Sequence, residues 1–307
     1  MAQPEVLEGT GMIRHVLLWM LVWMLLVGAG CQSRPLAAQP IIGKLSLAQA
    51  RKQHPTRLIR QGPAPQPYDD STPPDVQRIR YSSAGRQLMA WLASPATAGL
   101  HPAVLFAHGG FALGEGDWED VRPFVQAGFV VLLPTYRGEN GNPGSFERYF
   151  GEVDDALAAL DHLAKMPGVD SHRLFVAGHS VGGTTAMLLA EMSPRIRGAA
   201  ACGAFPDLTA ALEKRLRRPN SADFPFDYTD SYETDLRSPA RFVKDLKCPL
   251  AIFNSAADRL YVKQAAAMQA QAHHLGKSVT NETFPNTDHN SALAPAVHKM
   301  IALFKRE

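Results

Sequence analysis

Short, almost continuously apolar runs alternate with amphipathic segments through most of this chain, and that alternation limits the possible folds more than any other feature. The runs cover residues 103–107, 130–134, 173–177, 198–203, 249–253 and 279–284. Each is too short for a typical helix and, apart from the more polar last one, too apolar for a strand with one wet face, so they read as strands of a sheet buried on both sides. Between them, residues 120–127, 153–165, 181–192 and 262–275 read as helices, and 295–304 as a last one. In that last helix Val297, Met300, Ile301 and Phe304 follow the spacing of a stripe packed on a core. The expected fold is α/β, a mostly parallel central sheet with helices on both faces. Upstream, residues 76–81 and 87–92 alternate in polarity around Ser82-Ser83-Ala84-Gly85 and predict an antiparallel hairpin.

With 307 residues, 46% hydrophobic and 20% charged, the chain can bury one sizeable core, expected over residues 75–307. The formal net charge of +2 comes from interspersed charges. The basic cluster Lys214-Arg215-Leu216-Arg217-Arg218 lacks interleaved aromatics and reads as a solvated helix face, so no nucleic-acid partner is expected.

Residues 16–30 form an unbroken apolar run after Arg14 and His15 and before Cys31. Membrane spans need about 20 apolar residues, so this shorter run predicts an export signal over residues 1–31. Val27-Gly28-Ala29-Gly30-Cys31 resembles the lipobox of bacterial lipoproteins, which implies acylation of Cys31 and a lipid anchor facing the periplasm or cell exterior. Gly28 stands where that pattern prefers leucine, which leaves plain signal cleavage or an uncleaved anchor open. Residues 32–74, rich in Pro, Gln, Arg and Ala, read as a tether with a short helix near 45–52. Cys202 and Cys248 fall near opposite ends of their strands, which predicts two unpaired, mostly buried thiols.

Gly178-His179-Ser180-Val181-Gly182 lies between a strand run and a helix run. A serine at such a turn is exposed in a strained conformation, and flanking glycines let strand and helix approach. A serine hydroxyl needs a base, and the base needs an orienting acid. Asp258 and His289 follow Ser180 in the chain and lie just beyond the carboxyl ends of two strand runs, the edge where open parallel sheets build their sites. Asp207 is the alternative acid. Asp288 is too close to His289 to reach around its ring, His273 and His274 lie on a helix face, and His179 reads as structural. Donors for a negative oxygen are expected from the amide of Val181 and from the loop His108-Gly109-Gly110-Phe111, with Gly110 the first choice and Phe111 the second.

Dinucleotide, phosphate-loop and zinc-protease motifs are absent, so no cofactor or metal is expected. Residues 205–246 form a long excursion carrying Phe224, Phe226, Tyr228 and Tyr232. It reads either as a small cap whose aromatics shape an acyl or aryl pocket or as a surface insertion with its own mini-core.

Taken together, His108-Gly109-Gly110, Pro134-Thr135-Tyr136-Arg137-Gly138, Gly178 to Gly183, Arg237-Ser238-Pro239, Lys247-Cys248-Pro249-Leu250, Asp258-Arg259 and His289 resemble the α/β-hydrolases, nearest to the prolyl oligopeptidase catalytic domain and dienelactone hydrolase-like enzymes. The resemblance runs from about residue 76 to 304. It implies Ser180 as nucleophile, His289 as general base then acid, and Asp258 as its partner. Two features depart from it: the region before the hairpin is too short for a β-propeller, and Asp288 stands where a glycine is common. The expected activity is hydrolysis of a small ester, or in second place a peptide or amide, through an acyl-enzyme. The other reading is a membrane-tethered lipoprotein that keeps the fold for binding. Oligomeric state is not legible in the sequence.

Overall fold

The computed structural model describes residues 44–214 and 221–307. The export signal with Cys31 and the first part of the expected tether lie outside the described residues. Strands β1 (Gln77–Ser83), β2 (Arg86–Ala93), β3 (His101–Ala107), β4 (Val130–Pro134), β5 (Val169–His179), β6 (Ile196–Cys202), β7 (Leu250–Ser255) and β8 (Val279–Phe284) form an eight-stranded sheet in the order β1-β2-β4-β3-β5-β6-β7-β8. The expected hairpin is β1–β2, and β2 pairs antiparallel with β4. Every other pairing is parallel.

Alternation along each strand explains why both faces are covered. In β3, Ala103, Leu105 and Ala107 join one apolar cluster while Val104 and Phe106 join the other. The first cluster takes in residues of helices α1 (Leu47–Gln53), α3 (Gly151–Leu163), α4 (Val181–Met192) and α7 (Arg259–His274). The second takes in α2 (Glu115–Gln126) and α8 (Leu293–Phe304), where Phe304 stacks on Phe175 with ring centroids 4.5 Å apart. Cys202 is buried and Cys248 half-buried, both as free thiols, and burial pushes each up to about 12.

The described part of the expected tether is not a tether. Ser46 caps α1 in a capping box with Gln49, and Leu47 and Ala50 are fully buried. Arg51 donates to Phe150 O at 2.6 Å and Tyr149 O at 3.2 Å. Leu58 pairs with Phe226, Ile59 N donates to Pro225 O, Ala64 N donates to Gly138 O, and Phe146 N donates to Gly62 O. Weak periodicity hid this docking because it rests on backbone hydrogen bonds and a few buried side chains.

The excursion between β6 and β7 carries α5 (Leu208–Lys214) and α6 (Ser231–Asp235). Leu208, Phe224 and Phe226 form a mini-core with Phe205, Leu212 and Tyr228 against it. Phe226 is fully buried with the Arg237 guanidinium 3.7 Å from its ring centroid, and Tyr232 stacks on His54 at 4.3 Å. This packing fits the second of the two readings of residues 205–246, a surface insertion with its own mini-core.

Arg237 ties the two accessory segments together. It is fully buried, ion-paired to Glu233, and donates to Arg148 O, Glu147 O and Thr56 Oγ1 at 2.6, 3.0 and 2.7 Å. Leu47→Ala is expected to destabilise the protein by about 2–5 kcal/mol in urea unfolding, the usual cost of emptying a buried leucine site. An unchanged unfolding midpoint would restore the tether reading.

Candidate active site

Parallel strands end on one edge, so the loops after β3, β5, β7 and β8 converge there. Ser180 sits between β5 and α4 at φ 52° and ψ −114°, a conformation unusual for a residue with a side chain. Close packing imposes it. A Cβ on Gly178 would stand 2.2 Å from Gly182 O, and one on Gly182 would stand 1.9 Å from Ala107 O. Ser180 N donates to Cys202 O at 2.8 Å, which anchors the turn to β6.

The three residues expected to act together are within hydrogen-bond reach. Ser180 Oγ donates to His289 Nε2 at 3.0 Å, and His289 Nδ1 donates to Asp258 Oδ2 at 2.8 Å. Asp258 stands at the N-terminus of α7, directly after β7, and His289 follows β8. The alternative acid, Asp207, is engaged elsewhere: it caps α5 through Ala210 N at 2.9 Å and pairs with Arg241 at 3.4 Å. Asp288 turns into its own loop, accepting from Ser291 N, Asn290 N and Ser291 Oγ. Those bonds, with Ser291 contributing most, hold its carboxyl below the usual range.

His179, inside the elbow, faces the histidine loop. Its Nε2 donates to His289 O at 3.1 Å, and burial lowers its pKa, which keeps the ring neutral. It is a support for the base that the sequence reading assigned only a structural part.

Val181 opens α4, where the helix leaves the amide without an intrahelical acceptor. Gly110 adopts φ 63°. Of the two loop amides expected as donors, that of Phe111 donates to Gln66 Oε1 at 2.8 Å. Gln66 lies in the stretch read as tether and had no sequence signal.

Behind this loop, both ring nitrogens of His108 face acceptors: Gly109 O at 2.9 Å and Glu139 Oε2 at 3.2 Å. Carbonyl and carboxylate oxygens only accept, so the ring holds both protons. Burial alone would lower the His108 pKa, but the charge and hydrogen bond of Glu139 raise it to about 9. Nearby, Glu152 Oε1 accepts from Glu147 N and Arg148 N at 2.6 and 3.1 Å. It thereby holds a loop in which Arg148 and Tyr149 both have positive φ, 50° and 66°.

Such a sheet, with a serine at a strained strand-to-helix turn and a histidine and acid from later strand ends, defines the α/β-hydrolase fold and the serine hydrolase class. The prolyl oligopeptidase family matches residues 117–305, and the chain belongs to that family. It is 29% identical over 210 residues to the uncharacterized peptidase YtmA of Bacillus subtilis (strain 168), covering 66% of this chain and 80% of that one. Among solved structures, a Mycobacterium tuberculosis puromycin-hydrolyzing peptidase superposes with TM-score 0.65 at 20% identity, over 78% of this chain and 41% of that one. Esterase Est22 with p-nitrophenol superposes with TM-score 0.62 at 17% identity, over 76% of this chain and 81% of that one. At these identities the structural likenesses bear on the fold. The chain spans well under half the length of the mycobacterial peptidase.

Burial raises the Glu152 pKa from 4.5 to about 8. The folded protein then keeps a proton that the unfolded chain releases above 4.5, so this group's contribution to stability is lost as pH rises from 4.5 to about 8. The urea midpoint is expected to fall between pH 5 and 8, and Glu152→Gln to flatten that fall. His108 and the buried Glu191, whose pKa values are also raised, keep a residual slope of the same sign. Equal slopes in both proteins would exclude Glu152 as the group responsible.

Proposed function

We propose that the chain hydrolyses a carboxylic ester by way of an acyl-enzyme, with Ser180 as nucleophile, His289 as base then acid, and Asp258 as the partner of the ring. The observation that supports it most is the continuous hydrogen-bond chain from Ser180 Oγ through His289 to Asp258 Oδ2. In this reading Ser180 Oγ attacks the ester carbonyl as His289 Nε2 takes its proton. Asp258 keeps Nδ1 protonated and balances the imidazolium that forms. The amides of Val181 and Gly110 receive the oxyanion. Collapse of the intermediate expels the alcohol, protonated by His289, and water repeats the sequence on the acyl group. A peptide or amide substrate is the second reading, favoured by the family's name alone.

A protein retained only for binding has no use for this relay, which weighs against the lipoprotein alternative. Fluorophosphonate labelling of the native protein, lost in Ser180→Ala, is the expected outcome. Asp258→Asn is expected to lower kcat by about four orders of magnitude, as loss of the orienting acid does in such relays. An unlabelled native protein would favour the binding reading, and full activity in Asp258→Asn would overturn the acid assignment.

Export and anchoring through Cys31 complete the proposal, on the strength of the leader sequence. In a bacterial host, radiolabelled palmitate is expected to enter the native chain and not Cys31→Ser. Equal labelling of both, or of neither, would remove the anchor.

A further inference from the structure

Among the described residues, Arg148 is a buried cation without an anion. Its residue is only 7% exposed, yet no carboxylate lies within ion-pair distance of it among the described residues. Nη1 donates to Asp223 O at 3.1 Å, and Nε is buried with no acceptor. The guanidinium carbon lies 4.4 Å from the Phe224 ring centroid, 5.0 Å from Phe111 and 5.5 Å from Tyr149. Aromatic faces attract a cation but do not replace an acceptor in the plane of its N–H groups.

The position of this cation is enforced. Glu152 and Arg237 hold the backbone of residues 147 and 148, and two successive non-glycine residues there have positive φ. Strain of this kind persists where surrounding structure over-determines it. What the strain achieves is placement: Arg148 lines the same small cavity as Gly110 and Val181.

The remaining charges on that cavity wall are Glu139, His108 and Glu152. His108 and Glu139 neutralise each other. Glu152, raised to about 8 by burial, is uncharged at neutral pH. One positive charge is left over. The cavity is small, so the chain that reaches it is short.

We infer that Arg148 is a specificity-determining residue of the acyl subsite, which takes a short acyl chain ending in a carboxylate. This rests on the hydrolase reading above and names its substrate class. The carboxylate supplies the in-plane acceptors that Arg148 lacks, and the reaction at Ser180 is otherwise unchanged.

Phenyl valerate, mono-phenyl glutarate and methyl phenyl glutarate have comparable chains ending in a methyl group, a carboxylate and a neutral ester. Each is assayed for phenol release, with spontaneous hydrolysis subtracted, on the native protein, Arg148→Lys and Arg148→Met. The expected native kcat/KM is about tenfold or more higher for mono-phenyl glutarate than for the other two, the scale of a charge-assisted hydrogen bond. The ratio is expected to shrink in Arg148→Lys and vanish in Arg148→Met. Because it compares substrates within one protein, partial loss of folded material cancels. If Arg148→Met does not melt cooperatively, the native ratio and the Arg148→Lys ratio decide. A native ratio near one, an equal gain with methyl phenyl glutarate, or a preference unchanged in either variant would overturn the subsite. Turnover of phenyl valerate and fluorophosphonate labelling without the preference would remove the subsite alone. Silence towards all three esters and the probe would remove the hydrolase reading and the subsite with it.

Discussion

Everything at the catalytic edge depends on how tightly β3, β5 and the start of α4 are pressed together around Ser180. Gly178 and Gly182 have no room for a side chain, since any Cβ there would run into backbone carbonyl oxygens within 2.2 Å. That contact leaves Ser180 no relaxed conformation, and its positive φ carries a cost of about 1–3 kcal/mol that the surrounding packing sustains. The hydrogen bond from Ser180 N to Cys202 O adds a second constraint from the neighbouring strand. With the backbone so held, Oγ projects towards the loops after β7 and β8, where Asp258 and His289 stand.

The base is held as firmly as the nucleophile. Asp258 fixes its ring from one side, and His179 holds its backbone from the other. The neutrality of His179 matters for the proposed mechanism, because a second cation would oppose an imidazolium at His289. Burial enforces it. On the opposite wall, His108 is kept charged by Glu139, so two buried histidines near one serine have opposite protonation for reasons traceable to their partners.

A second level of organisation lies in the segments before β1 and between β6 and β7. They meet at Arg237, whose guanidinium joins Thr56, Glu147, Arg148 and Glu233. A buried guanidinium with its donors satisfied is costly to disturb, because removing a partner leaves an uncompensated charge. This knot transmits the placement of the N-terminal segment to the loop bearing Arg148, and Gln66 reaches the oxyanion loop from the same segment.

From sequence alone, the doubly covered parallel sheet, the hairpin, the elbow and the chain order of Ser180, Asp258 and His289 were legible, because each is written in local periodicity or turn chemistry. Helix starts were read late, at Glu115, where the first turn is polar, and at Arg259. Tertiary structure alone decided that residues 44–68 are docked, that Phe226 packs under a guanidinium, that Gln66 occupies the Phe111 amide, and that Arg148 has no carboxylate within ion-pair distance among the described residues. Most of these depend on contacts between groups far apart in the chain, 45 positions for Gln66 and Phe111 and 181 for Thr56 and Arg237. No local pattern encodes such pairings, since a polar side chain shows its partner only once the chain has brought the two together.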